Sequence, residues 1–257
     1  MFIDSHTHLD LTLKQTSFNL SELLPDSLDF VIQISLSPFD FIENQSLFSG
    51  QKNIYYATGI YPDNTTQADF NEKIWLNTLR EILLSFPHVA LGEAGIDFKY
   101  EKYGSREAQE SLFRGQLILA EELNLPLIIH SRETFEECFE ILKEFPKIKV
   151  LIHCFSYGPR EAEKLLENGH YLSFSGNLTF KNAATIREAA MLCPPDRIFF
   201  ETDCPYLTPE PFRGQPNIPA NVALVYQKFA EMHKLELSDL IWQIRQNAET
   251  FFGIKAK

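Results

Sequence analysis

The stretch from Ser105 to Arg132 reads SREAQESLFRGQLILAEELNLPLIIHSR, and it holds one full repeat of the pattern that decides the fold. Ser105 and the acids Glu107 and Glu110 mark a helix start, and Leu112, Leu117, Ile118 and Leu123 fall on one stripe, the spacing of a helix that buries one face. A helix is therefore expected over Ser105 to Asn124. It leads into Leu127-Ile128-Ile129, a short apolar run that reads as a strand and ends in His130.

The same alternation continues on both sides. Toward the start, strand runs are expected at Phe2-Ile3, Phe30 to Ile34, Ile54 to Ala57 and Val89-Ala90-Leu91. Between them lie a weakly helical Ser21 to Leu28, a helix from Pro38 to Gly50, and an amphipathic Phe70 to Phe86 with Ile74, Leu79, Ile82 and Leu83, which Pro87 stops. Toward the end, strands are expected at Val150-Leu151-Ile152, Tyr171 to Phe174 and Ile198-Phe199-Phe200. Helices are expected over Thr134 to Phe145, Pro159 to Asn168 with Gly169 as its stop, Ala183 to Leu192, Asn221 to His233 and Ser238 to Phe252.

Eight strand runs, each followed by a segment of helical length, imply a parallel sheet. At 257 residues a (β/α)8 TIM barrel fits better than an open doubly wound sheet, which usually carries a Gly-rich phosphate turn after its first strand. No such turn and no Walker-type loop is present. No low-complexity linker divides the chain, so one domain over 1–257 is expected.

Composition narrows the function. The net charge of −12 repels phosphate backbones and argues against a passive nucleic-acid binder, but not against an enzyme that meets a polyanion through bound cations. The start of the chain lacks a basic and apolar leader, and eighteen apolar residues never run together; a cytoplasmic protein with no membrane partner is the expectation. Cys138, Cys154, Cys193 and Cys204 are scattered without a C-x-x-C pair, which fits a reducing compartment. No obligate protein partner is evident.

The chemistry sits at the strand ends. His6 and His8 are one residue apart, so in an extended segment both rings lie on one face. Glu93, His130, His153 and Asp203 each follow an apolar strand run, and barrel catalytic residues collect at those carboxyl ends. Four imidazoles and two carboxylates exceed the needs of one zinc. They suit two divalent ions about 3.5–4 Å apart with a carboxylate such as Glu93 bridging them, which is the equipment of metal-assisted hydrolysis.

Five segments carry a family resemblance: Ile3-Asp4-Ser5-His6-Thr7-His8-Leu9-Asp10, Leu91-Gly92-Glu93-Ala94-Gly95-Ile96-Asp97, Ile129-His130-Ser131-Arg132, His153-Cys154-Phe155-Ser156 and Glu201-Thr202-Asp203-Cys204-Pro205-Tyr206-Leu207. In order and content they resemble the motifs of the TatD family of metal-dependent deoxyribonucleases, across nearly the whole chain. The resemblance implies His6, His8 and Asp203 on one metal, His130 and His153 on the other, and Glu93 between them. It also implies a 3′-5′ exonuclease with single-stranded DNA as its substrate and two metal ions as cofactors. Ligand type suits zinc, manganese or nickel, and the resemblance adds magnesium.

Asp203 and Glu93 are the expected catalytic carboxylates, Asp203 also accepting a proton from the attacking water. Arg132 is the candidate phosphate contact, with Lys99, Lys102, Lys181 and Arg213 in nearby loops. Tyr100, Tyr103, Tyr157 and Tyr206 are candidate base-stacking residues. Asp10 and Asp97 are expected to orient metal-ligating histidines. Two places depart from the family: Ile218 stands where an acid is usual, and the usual Ser-Gly is Ser156-Tyr157-Gly158. These touch the substrate side, so the alternative is a small-molecule amidohydrolase or esterase on the same barrel.

Overall fold

Apolar runs and amphipathic segments alternate in the folded chain as they do in the sequence. A computed structural model describes residues 1–99 and 101–255. In chain order the elements are β1 (Phe2–Thr7), α1 (Leu9–Gln15), α2 (Leu20–Leu23), β2 (Leu28–Ser35), α3 (Pro38–Asn44), β3 (Ile54–Thr58), α4 (Glu72–Ser85) and β4 (Ala90–Asp97). They continue as α5 (Arg106–Leu123), β5 (Leu127–Arg132), α6 (Phe135–Leu142), β6 (Val150–Ile152), α7 (Pro159–Glu167), β7 (Tyr171–Phe174), α8 (Ala184–Leu192), β8 (Ile198–Phe200), α9 (Val222–His233) and α10 (Leu237–Phe252).

The eight strands form one sheet in the order β1 to β8, and the strand pairs are parallel. A further parallel bridge joins Thr7 to Cys204, just past β8. Sequential parallel order with the last strand returning to the first is the topology of a (β/α)8 barrel.

Two compact units share the chain. One comprises Met1–Gln33, Gln51–Tyr55 and Cys154–Lys257, and the other Ile34–Gly50 and Tyr56–His153. In the first, aromatic side chains of β8 hold the helices: Phe200 packs on Tyr226 and Phe229 of α9 at ring distances of 4.4 and 5.1 Å, and Phe199 packs on Phe252 of α10 at 5.2 Å. All of these rings are buried. Tyr226 does a second job, because its hydroxyl donates to Ile3 O and accepts from Ile3 N–H, tying α9 to the backbone of β1.

In the second unit α5 is capped as the sequence suggests. Ser105 Oγ accepts Ala108 N–H, and Asn124 takes the left-handed conformation after the last turn. The expected apolar stripes need correction in detail. On α4 the buried set is Trp75, Leu79, Ile82 and Leu83, and Ile74 faces out; on α5 Ile118 faces out while Gln109 and Gln116 are buried. Shorter corrections apply at two places. The helix expected from Pro38 to Gly50 stops at Asn44 and tightens into a 3-10 turn over Gln45–Phe48, and the one expected over Ser21 to Leu28 is a single turn.

A larger correction concerns β4. The apolar run Val89 to Leu91 was expected to end at Glu93, yet the strand continues to Asp97. Its pairing with β5 passes from Leu91↔Leu127 to Ala94↔Ile129, so one extra residue is accommodated on β4 around Gly92 and Glu93. A bulge of this kind re-aims a side chain. Gly92 at φ 139° makes it possible, since a Cβ there would lie 2.5 Å from Ile128 O.

Two histidines outside the strand ends carry a stability consequence. Burial pushes His88 down to about 4 against an opposing hydrogen bond to Phe86 O, and burial alone pushes His170 to about 4. A histidine whose folded value lies below its unfolded value of about 6.5 stabilises the fold fully above that pH. The contribution is lost as pH falls toward 4, because the unfolded chain then takes up more protons. Thermal melts from pH 7 to 4 should show this loss, and a His88→Gln/His170→Gln variant should show a flatter profile than wild type.

Candidate metal centre

In the first unit, the face of β1 that carries His6 also carries Asp4, and both are fully buried. Asp4 Oδ1 accepts Thr202 N–H at 2.9 Å and Oδ2 accepts the Thr202 hydroxyl at 2.6 Å, with a longer bond from His6 N–H. Burial holds the Asp4 carboxyl well above the usual range, against those hydrogen bonds and with Glu201 adding to the shift. Asp4 thus bolts β1 to the segment after β8. Backbone bonds finish the join: Asp203 N–H donates to His6 O, and His8 N–H donates to Cys204 O.

Asp203 sits in the left-handed region at φ 53°, a conformation that aspartate tolerates better than most residues. Its Oδ1 lies 3.7 Å from His6 Nε2 and 3.4 Å from His8 Nε2, and the two imidazole nitrogens are 3.3 Å apart. Three Lewis bases at these separations match donors placed about 2.0–2.1 Å from a common ion, which are about 3.3–3.4 Å apart in tetrahedral coordination. The donor set fits a divalent metal.

Asn217, which carries no periodic signal in the sequence, is fully buried and donates from Nδ2 to Thr202 O and Tyr206 O, spanning the loop that presents Asp203. Ile218 follows it, and its N–H is held by Asn217 Oδ1. Glu201 is buried with Oε1 accepting Cys154 N–H. That bond ties the end of β8 to the segment after β6. Asp10 accepts from Gln33 Nε2, and Gln33 Oε1 in turn accepts Leu9 N–H. That pair fixes the turn from β1 into α1 directly after His8.

The second unit holds a second cluster. Glu93 Oε1 lies 2.8 Å from both His130 Nδ1 and His153 Nε2, and the two nitrogens are 3.4 Å apart. Glu93 comes from the bulge of β4, His130 from within β5, and His153 from the residue after β6. The placement of Glu93 and His130 corrects the expectation that each terminates its strand. This set also fits a divalent ion: two nitrogens and a carboxylate oxygen converge on one point.

Behind the second cluster, His130 Nε2 lies 3.0 Å from Asp97 Oδ2 and 3.2 Å from the Tyr61 hydroxyl, which also donates to Asp97 at 3.2 Å. The structure thus brings Asp97 to His130, and adds Tyr61, which the sequence did not mark. Burial opposes ionisation of Asp97, yet the bonds from His130, Lys99 N–H and Tyr61 outweigh it and hold the carboxyl below its usual range. For His130, burial disfavours the charged ring, and the bonds to Asp97 and Glu93 reverse that into a net rise. Burial, then the charges of Glu93 and Asp97, pushes the Tyr61 phenol far up, so it remains a donor at every working pH.

Arg132 is exposed at the last position of β5. Lys99 pairs with Glu133 across 2.6 Å on the surface, and Arg213 lies flat over Phe180 at 3.8 Å while donating to Thr208 O. Lys102 lies over the Tyr103 ring, and Tyr103 packs edge-on against Tyr61 at 6.2 Å. Tyr157 packs against Phe155, and Tyr206 is exposed. Tyr100 lies outside the described residues. None of the four cysteines forms a disulfide among the described residues, and no helix there is long and apolar enough to cross a membrane.

A (β/α)8 barrel with imidazole and carboxylate donors clustered on and just past its strands defines a metal-dependent hydrolase of the barrel class. The chain belongs to the family described as TatD related DNase, whose pattern matches residues 3–253. It is 32% identical over 260 residues to YabD of Bacillus subtilis strain 168, described as an uncharacterized metal-dependent hydrolase, with 99% of this chain and 100% of that protein covered. YcfH of Escherichia coli K12, described in the same terms, is also 32% identical, covering 99% of this chain and 96% of that one. Among solved structures, the TatD homologue YjjV from Escherichia coli K12 superposes with a TM-score of 0.85 at 26% identity, covering 98% of both chains.

Proposed function

We propose that the protein is a phosphodiesterase that trims single-stranded DNA from the 3′ end with two divalent metal ions, one held by His6, His8 and Asp203 and one by Glu93, His130 and His153. The observation that carries this reading is the pair of imidazole and carboxylate clusters, each with its donor atoms within 3.7 Å of one another. The family description supplies the substrate class. Ions in such donor sets acidify a water and polarise a phosphoryl oxygen, and magnesium, manganese and zinc are the candidates.

The chain's own residues divide the remaining work. Asp203 accepts the proton of the attacking water at its carboxylate, and Glu93 fixes the charge of the second cluster. Arg132, exposed at the end of β5, would grip a phosphate by two parallel hydrogen bonds. Four thiols outside any disulfide fit a cytoplasmic setting.

The net charge of −12 makes cations necessary for binding as well as for chemistry. End-labelled single-stranded DNA, incubated with the protein and a panel of divalent ions, should shorten from its 3′ end. EDTA should abolish both cleavage and association. Tight metal-free binding at physiological salt would contradict the charge argument and point to a basic groove. A small-molecule amidohydrolase or esterase is the second reading, favoured by the apolar Ile218 in place of the family's acid. Hydrolysis of such esters or amides with DNA left intact would establish it.

A further inference from the structure

His130 has both ring nitrogens engaged, and the two sides differ in kind. Nδ1 faces Glu93 and His153, while Nε2 faces Asp97 and Tyr61. We propose that Tyr61 is a positioning residue for the ion held by Glu93, His130 and His153: with Asp97 it fixes the His130 ring so that Nε2 carries the proton and Nδ1 meets the metal. The inference rests on reading that cluster as a metal site, and it does not depend on DNA being the substrate.

Asp97 alone selects the tautomer, because an ionised carboxylate accepts and so requires Nε2–H. A single hydrogen bond still lets the ring pivot about it. Tyr61 removes that freedom twice over. Its hydroxyl completes a triangle with Asp97 Oδ2 and His130 Nε2 whose sides are 3.0, 3.2 and 3.2 Å. Its ring packs edge-on against the imidazole at 4.9 Å and 63°.

Tyr61 is itself held from several directions. Pro62 restricts the residue before it to extended backbone, and Tyr61 is found at φ −66°, ψ 146°. Its N–H donates to Leu36 O. The preceding residue, Ile60, is gripped on both backbone groups by the Gln116 carboxamide, with Oε1 accepting Ile60 N–H at 2.7 Å and Nε2 donating to Ile60 O at 2.9 Å. About two turns earlier on the same face of α5, Gln109 Oε1 accepts Asp97 N–H and Gln109 Nε2 donates to Tyr103 O. One helix therefore fixes both partners of His130 Nε2 through two buried glutamines. Amides buried on an otherwise apolar stripe are costly unless satisfied, and here their partners are the backbones that carry Tyr61 and Asp97.

The test is zinc binding to metal-free protein, followed by calorimetry, on wild type, Tyr61→Phe and His130→Ala. Wild type should show two binding events, and His130→Ala should remove one of them. Tyr61→Phe should weaken that same event about 10- to 100-fold, leave the other unchanged, and melt within a few degrees of wild type. Cobalt(II) in place of zinc should give an altered visible absorption band for the affected event. Unchanged affinities and an unchanged cobalt band in Tyr61→Phe would overturn the inference. So would equal weakening of both events together with a lowered melting temperature, which is the mark of a purely structural role. A wild type that takes up none of zinc, cobalt(II), manganese and magnesium overturns the metal reading and this inference together. Loss of only the expected event in a protein inert toward DNA supports the inference and removes the nuclease reading alone.

Discussion

Asp203→Asn is expected to lower kcat by about 10²- to 10⁴-fold, the usual size of general-base assistance, while the protein folds and melts as wild type does. Asparagine keeps the shape and one oxygen but removes the charge and the basicity. It also tolerates the left-handed backbone that Asp203 adopts at φ 53°. The bonds from Asp203 N–H to His6 O and from Tyr206 N–H to Asp203 O are backbone bonds and survive the change. The loop is further braced by Asn217 on Thr202 O and Tyr206 O. Glu201→Gln serves as the comparison, because Glu201 is engaged with Cys154 N–H and glutamine retains an acceptor there; it should cost far less. An Asp203→Asn protein that keeps most of its activity at saturating metal would remove the proton-transfer role from this residue.

Much of this arrangement was legible from the chain because barrels write their sites at strand ends. His6 and His8 could be paired from the period of a strand, and His153 and Asp203 from the apolar runs before them. Seven of the eight runs lie inside strands and the eighth, Val89 to Leu91, overlaps β4 from Ala90 onward, because residues buried on both faces of a parallel sheet read as continuous apolar stretches. Gln109 and Gln116 show where such reading stops. A polar residue on a helical stripe looks like an interruption of the pattern, and only the fold reveals that its partners are the backbones of Asp97 and Ile60. Tyr61, Asn217 and Asp4 were passed over for the same reason: each acts through a hydrogen bond to a segment distant in sequence, which leaves no periodic trace. Asp4 had one signal, its place two residues before His6 on the same strand face. Ile74 and Ile118 erred in the other direction, since apolar character alone does not place a residue on the buried side of a helix.

The bulge in β4 was also invisible in advance, although its glycines stood in the quoted motif Leu91-Gly92-Glu93-Ala94-Gly95-Ile96-Asp97. Gly95→Ala is expected to be the most destabilising of the conservative changes considered. A Cβ at this position would lie 1.8 Å from His130 O and 2.9 Å from His130 C, and Gly95 holds φ 151°. The obstacle is backbone, so no side chain can swing aside. Gly95 pairs directly with His130, and relief requires β4 and β5 to part at the point where Glu93, Asp97 and His130 are held. Losses on the order of 3–5 kcal/mol follow from strain and broken pairing of this kind, a large share of the roughly 5–15 kcal/mol that stabilises a typical protein. Gly169→Ala is the control. It also has a positive φ, 78°, but a Cβ there meets nothing within 4 Å, so it carries only the intrinsic left-handed penalty of about 1–2 kcal/mol. Chemical denaturation of the two variants should separate them clearly, with Gly95→Ala also losing zinc at the Glu93, His130 and His153 cluster and Gly169→Ala retaining it. Equal and small losses for both would mean that β4 and β5 do not approach each other at Gly95 as closely as the structure shows.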